Sequence, residues 1–284
     1  MNRLPAFEPA GMAAAAPARS PARAGRLLRV VSAIWLGVAF AGQLVFAVYV
    51  IALYGGGLAA GQPQRWNAAT PRGHVPGEPW GNLVFGSHVA FTVVVVLGGL
   101  IQLLPVLRRH APRLHRWNGR LYLASAVVLA VGGVLMMLTR GTVGSFWQQA
   151  GTALNGAVIL VFAAFAWRHA RARRFAHHRR WALRLFMAVS GVWFFRVGLM
   201  AWLLANQAPV GFDPETFTGP FLVALAYAQF LLPLVVLELV FRAQAPGAAV
   251  WLQAATAGLV TALTLLTALG IAGATAMMWW PHLH

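Results

Sequence analysis

The sequence contains no cysteine and no lysine, and only five of its 284 residues are acidic. The absence of cysteine excludes disulfide bonds, thiolate-bound zinc, iron–sulfur clusters and dithiol redox chemistry in this chain. Any redox role would therefore need a cofactor that is held by other atoms. The few acidic residues stand against 22 arginines, so the chain carries a formal net charge of +17.

Charge is scarce in the sequence as a whole. Charged residues make up 10% of the chain and hydrophobic residues 60%. This composition lies outside the range of soluble globular domains, so we expect the fold to be surrounded by lipid. A basic chain can also indicate nucleic-acid binding, but that function needs the arginines on one soluble face. Here long apolar runs separate them, and the sequence does not favour nucleic-acid binding.

Seven apolar runs are long enough to cross a bilayer, which requires about 20 helical residues. They are predicted near residues 30–54, 83–105, 121–139, 147–168, 181–205, 218–242 and 250–280. The sequence therefore predicts an all-α polytopic membrane protein in which residues 30–280 form a bundle of seven transmembrane helices. Residues 1–29 are rich in Ala, Pro and Arg and lack a hydrophobic period, so we expect them to form a disordered cytoplasmic tail.

The arginines are distributed unevenly among the connections between the predicted helices. They concentrate before the first helix, in residues 108–120 and in residues 168–184, and these connections all lie on one side of the membrane. The opposite connections have fewer arginines and hold Glu78, Asp213 and Glu215. The positive-inside rule places the N-terminus in the cytoplasm and the C-terminus outside. We expect a multi-pass protein of the bacterial cytoplasmic membrane whose arginine-rich loops contact anionic headgroups.

Two similar polar segments lie in the connections just before the third and fifth predicted helices. The first is HRWNGRLY, from His115 to Tyr122, and the second is HHRRWALRLF, from His177 to Phe186. Tryptophans at headgroup depth and arginines near lipid phosphates are sufficient to explain most of these residues. Neither role calls for imidazole, so His115 and His178 are candidates to share one metal or one haem iron.

A second polar set is predicted in the outer half of the bundle, where a rise of about 1.5 Å per residue places its members at similar depth. An arginine within the membrane is costly, so we expect Arg196 to face the interior, paired with Asp213 or Glu215 or with a ligand. The set either fixes helix register through internal hydrogen bonds or forms a pocket for a small anionic or carbonyl-bearing molecule. The predicted pocket residues are Gln43, His88, Asn155, Arg196 and Tyr227.

Several of these motifs make the chain similar to a family of bacterial membrane proteins, domain of unknown function 2306. The resemblance covers about residues 83–200. Its residues are His88 with Gly99 and Gln102, the segment His115–Tyr122, the group His178, Arg179, Trp181 and Arg184, and the later Arg196. The resemblance implies a membrane protein and supplies no established activity. Arg180, an additional arginine in the second segment, departs from the family pattern.

The hairpin layout also resembles that of b561-type membrane cytochromes, in which histidines of the second to fifth helices hold two haems. This likeness implies one b-type haem held by His115 and His178, with Arg120 and Arg184 at its propionates and a quinone as electron partner. A second haem is not expected, because the fourth helix carries Asn155 where a histidine would be needed. The sequence leaves open a haem- or quinone-linked electron-transfer protein, a small-molecule binding or transport protein, and a purely structural membrane protein.

Overall fold

The computed structural model describes residues 21–141 and 143–283, and this part of the chain is helical with no β-strand. Short π-helical turns, Ile51–Gly55 and Ala274–Trp279, extend the first and last of its α-helices. The predicted all-α fold is confirmed. The α-helices are α1 (Pro21–Val50), α2 (Gly56–Ala59), α3 (Pro79–Leu103), α4 (Pro105–His110), α5 (Pro112–Arg140), α6 (Phe146–Arg171), α7 (Phe175–Val189), α8 (Gly191–Asn206), α9 (Pro220–Ala243) and α10 (Val250–Gly273).

Six helical segments of the described chain are long and apolar enough to cross a membrane. The helices α7 and α8 meet at an angle of 51° around Ser190, and as one broken span they bring the total to seven, the predicted number. The helix α1 begins at Pro21, so residues 21–29 of the predicted tail are helical. Residues 1–20 of that tail lie outside the described residues.

Both His-Arg-Trp segments are helical, which corrects the prediction that they lie in connections before the helices. The helices α5 and α7 begin at Pro112 and Phe175, so His115 and His178 lie in their first turns. Pro112 is favourable at the start of α5. A backbone N–H at the first position of a helix has no partner within the helix, so its absence in proline costs nothing. Arginine is a good helix former, so the polar residues that follow extend the helix toward the membrane surface.

The helices pack as neighbours along the chain, with the last helix returning to the first. The pairs with the most extensive contacts are α1 with α10, α3 with α5, and α6 with α7, and α8 packs between α9 and α10. Glycine allows the closest of these approaches, since a Cβ added at Gly270 of α10 would overlap the carbonyl oxygen of Val197 in α8. Small residues at such contacts are typical of helix packing in membranes.

The loop between α2 and α3 is tied to the end of α5 by the buried side chain of Arg140. Its guanidinium donates to the carbonyl oxygens of Arg72 at 3.0 Å and Gly73 at 3.2 Å, and to Asn82 Oδ1 at 2.7 Å. It also pairs with the Glu78 carboxylate at 3.3 Å. Arg72 donates in return to the Arg140 carbonyl oxygen at 2.8 Å. The two connections therefore lie on the same side of the bundle.

Candidate functional site

A cavity of about 180 Å³ lies between α1, α3, α5, α6 and the broken pair of α7 and α8. Three of the predicted pocket residues, Gln43, His88 and Asn155, line it. Arg196 and Tyr227 lie outside its described lining. The Tyr227 ring packs against α6 instead, where a Cβ added at Gly151 would lie 3.2 Å from its Cδ2 atom. The predicted outer layer thus separates into a group that lines the cavity and residues that lie beside it.

The break between α7 and α8 is held by uncharged polar side chains from two other helices. Gln43 of α1 donates from Nε2 to the hydroxyl oxygen of Ser190, the residue at the break, at 3.0 Å. Asn155 of α6 donates from Nδ2 to the Ala188 carbonyl oxygen at 3.1 Å. The Asn155 amide fits because a Cβ at Gly191 would lie only 2.6 Å from its Nδ2. These bonds supply polar partners inside the bundle, as non-helical backbone at membrane depth requires.

Four polar atoms of cavity-lining residues have no hydrogen-bond partner among the described residues. They are His88 Nδ1, the Tyr122 hydroxyl oxygen, Asn155 Oδ1 and Trp193 Nε1. The exposed fractions of Tyr122, Asn155 and Trp193 are 6%, 5% and 2%. A buried donor or acceptor without a partner costs about 1–3 kcal/mol. A polar partner for any of these atoms would offset that cost.

The rest of the cavity wall is predominantly apolar. Its described lining includes Val95, Ile159 and Phe186 and contains no aspartate, glutamate or arginine. A charged molecule would find no counter-ion there, and an uncompensated charge is expensive to bury. The exposed residues Thr152 and Val192 also line the cavity, so it is not sealed. The lining thus suits neutral, largely apolar molecules better than charged ones.

Arg196 does not have the carboxylate partner expected from the sequence. Its Nη1 donates to a carbonyl oxygen of its own helix, and its guanidinium carbon lies 5.6 Å from the centre of the Phe46 ring. Among the described residues, neither Asp213 nor Glu215 forms an ion pair with it. Asp213 accepts hydrogen bonds from the Glu215 N–H and the Thr216 hydroxyl, and these bonds, the first above all, lower the pKa of Asp213. Its carboxylate is thus held within its own loop.

The first His-Arg-Trp segment connects α5 to α3 through side-chain amides. Asn118 Nδ2 donates to the Gly98 carbonyl oxygen at 2.8 Å and to Gln102 Oε1 at 2.9 Å. Gln102 Nε2 donates to the His115 carbonyl oxygen at 3.2 Å and lies 3.4 Å from His115 Nε2. A Cβ at Gly119 would lie 2.7 Å from Gln102 Nε2, so glycine at this position leaves room for the Gln102 amide. The spacing of this segment is explained by a clamp between two helices.

The second segment connects α7 to α6 and α9. The His178 ring places Nδ1 2.9 Å from the carbonyl oxygen of Ala166, to which it donates when that nitrogen carries the proton. Arg184 pairs with the Glu238 carboxylate at 2.6 Å, and its guanidinium carbon lies 4.6 Å from the Trp181 ring centre. Both copies of the repeated segment therefore hold neighbouring helices together.

Most of the residues predicted to hold a haem already contact other groups of the protein. In His115 and in His178 one ring nitrogen lies within hydrogen-bond distance of a polar group of the protein. Arg120 is exposed and lies 4.8 Å from the Trp117 ring centre, while Arg184 is bound by a carboxylate. The described residues contain no group of three or more His, Asp or Glu side chains that could hold a metal. The haem site stays a prediction.

Tyr122, Ser190 and Trp193 are among the cavity-lining residues that sequence reasoning missed. Tyr122 was assigned to the repeated segment and Trp193 to an apolar span, so neither was placed in the predicted outer layer. A signal for the break was present, because Ser190 and Gly191 form a Ser-Gly pair inside a long apolar run, and such pairs are common at helix kinks. Ser190 and Trp193 both line the cavity at this kink.

The family described as predicted membrane protein (DUF2306) matches residues 85–240, more than half of the 284-residue chain. The matched region includes both repeated segments and most of the cavity wall, and it extends beyond the predicted core of residues 83–200 through most of α9. Comparison with curated proteins and comparison with solved structures each gave no match. The multi-pass membrane chain therefore belongs to the family of predicted membrane proteins described as DUF2306.

Proposed function

We propose that this protein binds a small, neutral ring compound with carbonyl or hydroxyl groups, of the quinone class, in the intramembrane cavity. The observation that supports this proposal is that four residues lining one largely apolar cavity each carry a buried polar atom that has no hydrogen-bond partner among the described residues. The cavity volume of about 180 Å³ compares with about 150 Å³ for an engineered apolar cavity that takes one benzene ring. A single substituted ring is therefore the appropriate size.

The unpaired atoms define the hydrogen bonds that such a compound forms. The Trp193 indole N–H can only donate and the Tyr122 hydroxyl can donate, so the ligand presents an oxygen that accepts. Asn155 Oδ1 is an amide oxygen and can only accept, and the bond from Nδ2 to the Ala188 carbonyl oxygen fixes the orientation of the amide. A hydroxyl group on the ligand satisfies this oxygen. A quinone carbonyl can accept from the Trp193 and Tyr122 donors, and a quinol hydroxyl can both accept from them and donate to Asn155 Oδ1.

The position of Arg196 favours one of the two types of ligand considered from the sequence. Its guanidinium lies against the ring of Phe46. Phe46 lines the cavity, whereas Arg196 is outside the described lining. This arrangement favours the neutral carbonyl-bearing ligand over the anionic one. Quinone binding is the part of the electron-transfer hypothesis that the cavity supports, whereas the haem part rests on the two histidines of the repeated segments and on the resemblance.

Binding of methyl-1,4-benzoquinone and of its quinol to the full-length protein in detergent micelles tests the proposal. Toluene is the matched control compound, because it keeps the ring and methyl group and lacks both oxygens. Two hydrogen bonds of about 0.5–1.5 kcal/mol each predict that the quinone or quinol binds about 5- to 150-fold more tightly than toluene. Equal binding of toluene would show that the unpaired polar atoms contribute nothing.

Two leucine substitutions test whether binding takes place in this cavity. Gly133 lines the cavity, and a Cβ there would lie 3.5 Å from His88 Cε1, which is an ordinary contact. Gly133→Leu should fill the space and abolish binding. The control is Gly258→Leu, since a Cβ at this exposed position of α10 meets nothing within 4 Å. Unchanged binding by Gly133→Leu would place the ligand elsewhere.

A further inference from the structure

A second cleft, of about 390 Å³, lies between α6, α7 and α9. Apolar side chains form most of its wall, and two of them, Leu231 and Val235, are exposed. The other end of the cleft is lined by Arg184, Glu238 and Arg242. The cleft thus combines a wall that faces the bilayer with a charged end near the last turn of α9.

The charged end carries an excess of positive charge. Arg184 is neutralised by the Glu238 carboxylate at 2.6 Å. Arg242 is exposed and forms no ion pair among the described residues. The Arg180 guanidinium carbon lies 5.4 Å from the centre of the Phe241 ring, which places a further cation beside this end of α9. An anion at this end would therefore be stabilised, and Arg242 is the group free to bind it.

We propose that this cleft is a binding site for one anionic phospholipid, with its phosphate at Arg242 and an acyl chain along Leu231 and Val235. The eleven helical steps from Leu231 to Arg242 span about 16 Å at 1.5 Å per residue. This length is close to half of the roughly 30 Å hydrocarbon core, which is the depth of one leaflet. The apolar wall continues directly from the cationic end, so the cleft matches a lipid rather than a free phosphate.

This site is separate from the quinone-class cavity. The helices α6 and α7 contribute to both linings, but no described residue lines both the cavity and the cleft. The lipid site is also more specific than a general attraction between arginine-rich loops and headgroups. Here one cation is held in place by a carboxylate and two aromatic rings, Trp181 and Phe241, while a second cation stays free.

Lipid retention by the full-length protein, measured by native mass spectrometry from micelles containing added phosphatidylglycerol or phosphatidylcholine, tests this site. The wild-type protein should retain one phosphatidylglycerol with a clear preference over phosphatidylcholine. Arg242→Gln should weaken phosphatidylglycerol binding about fivefold, as expected for one cation beside an anionic headgroup. Arg113→Gln is the matched control, because Arg113 is also exposed near a predicted cytoplasmic helix end but lies outside the cleft.

A second variant separates the cleft from simple charge attraction. Val235→Trp keeps every charge and occupies the apolar wall, so it should also weaken phosphatidylglycerol retention. Equal losses for Arg242→Gln and Arg113→Gln, no loss for Arg242→Gln, or full retention by Val235→Trp would each overturn the proposal. Retention of inorganic phosphate alone, in competition with the lipid, would identify a headgroup site without the acyl-chain wall and would also overturn it.

Discussion

Replacement of Tyr122 by phenylalanine separates a ligand-binding cavity from a purely structural one. The Tyr122 hydroxyl is buried without a partner among the described residues, while its ring packs on Gly99, where a Cβ would lie 3.0 Å from Tyr122 Cε2. Phenylalanine keeps this ring contact and removes only the hydroxyl. In the ligand-free protein the substitution should therefore leave stability unchanged or raise it, because an unsatisfied buried polar group costs about 1–3 kcal/mol.

The same substitution should weaken ligand binding. One lost hydrogen bond of about 0.5–1.5 kcal/mol corresponds to about a two- to tenfold rise in the Kd of the quinone or quinol. Both quantities are measured on the same purified variant, stability by thermal unfolding in micelles and affinity by titration. A change that favours stability and opposes binding is characteristic of groups that are kept for function.

Tyr54→Phe is the matched control for this experiment. Tyr54 is also buried, but its hydroxyl forms a hydrogen bond of 2.7 Å with the Thr70 hydroxyl. Its removal should lower the free energy of unfolding by about 0.5–1.5 kcal/mol and leave ligand affinity unchanged. The reasoning is refuted if Tyr122→Phe destabilises the protein as much as Tyr54→Phe does and leaves the Kd unaltered.

Three further predictions concern the fold and its orientation. Gly191→Ala should displace the neighbouring amide at the helix break, because the added Cβ would lie 2.6 Å from it, and thermal unfolding should show a loss of about 1–3 kcal/mol. Arg140→Leu should lower stability by about 1.5–3 kcal/mol and speed proteolysis of the loop between α2 and α3; unchanged proteolysis would contradict the clamp. Cysteines introduced at Ala111 and Ala176 should resist an impermeant thiol reagent in intact cells, whereas one at Ala69 should react; the opposite labelling pattern would reverse the orientation.

Much of the architecture follows from hydropathy, because a lipid solvent leaves few alternatives to helices of about 20 residues. The number of spans and the approximate position of each one were predictable for this reason. The helix ends were less predictable from hydropathy. Pro112 begins α5 well before the apolar run, since a helix continues through arginine-rich sequence that hydropathy assigns to a connection.

The candidate site was predictable only in part. Depth along the helices placed Gln43, His88 and Asn155 in one layer, and these residues do share a cavity. Depth says nothing about rotation around a helix, so it could not separate them from Arg196, which points to the Phe46 ring. Trp193 lines the cavity just after the 51° bend between α7 and α8. A Ser-Gly pair in the sequence indicates that a bend is possible but does not give its angle.

The proposed binding site is tested most directly by photoaffinity labelling with a diazirine derivative of methyl-1,4-benzoquinone, followed by peptide mapping of the full-length protein. Labelling is expected on cavity-lining segments of α5 and α6, at or near Met137 and Thr152. It should be lost in Gly133→Leu and retained in Gly258→Leu. Labelling confined to the region around His115 and His178, or labelling that Gly133→Leu leaves unchanged, would contradict a quinone-class site in this cavity.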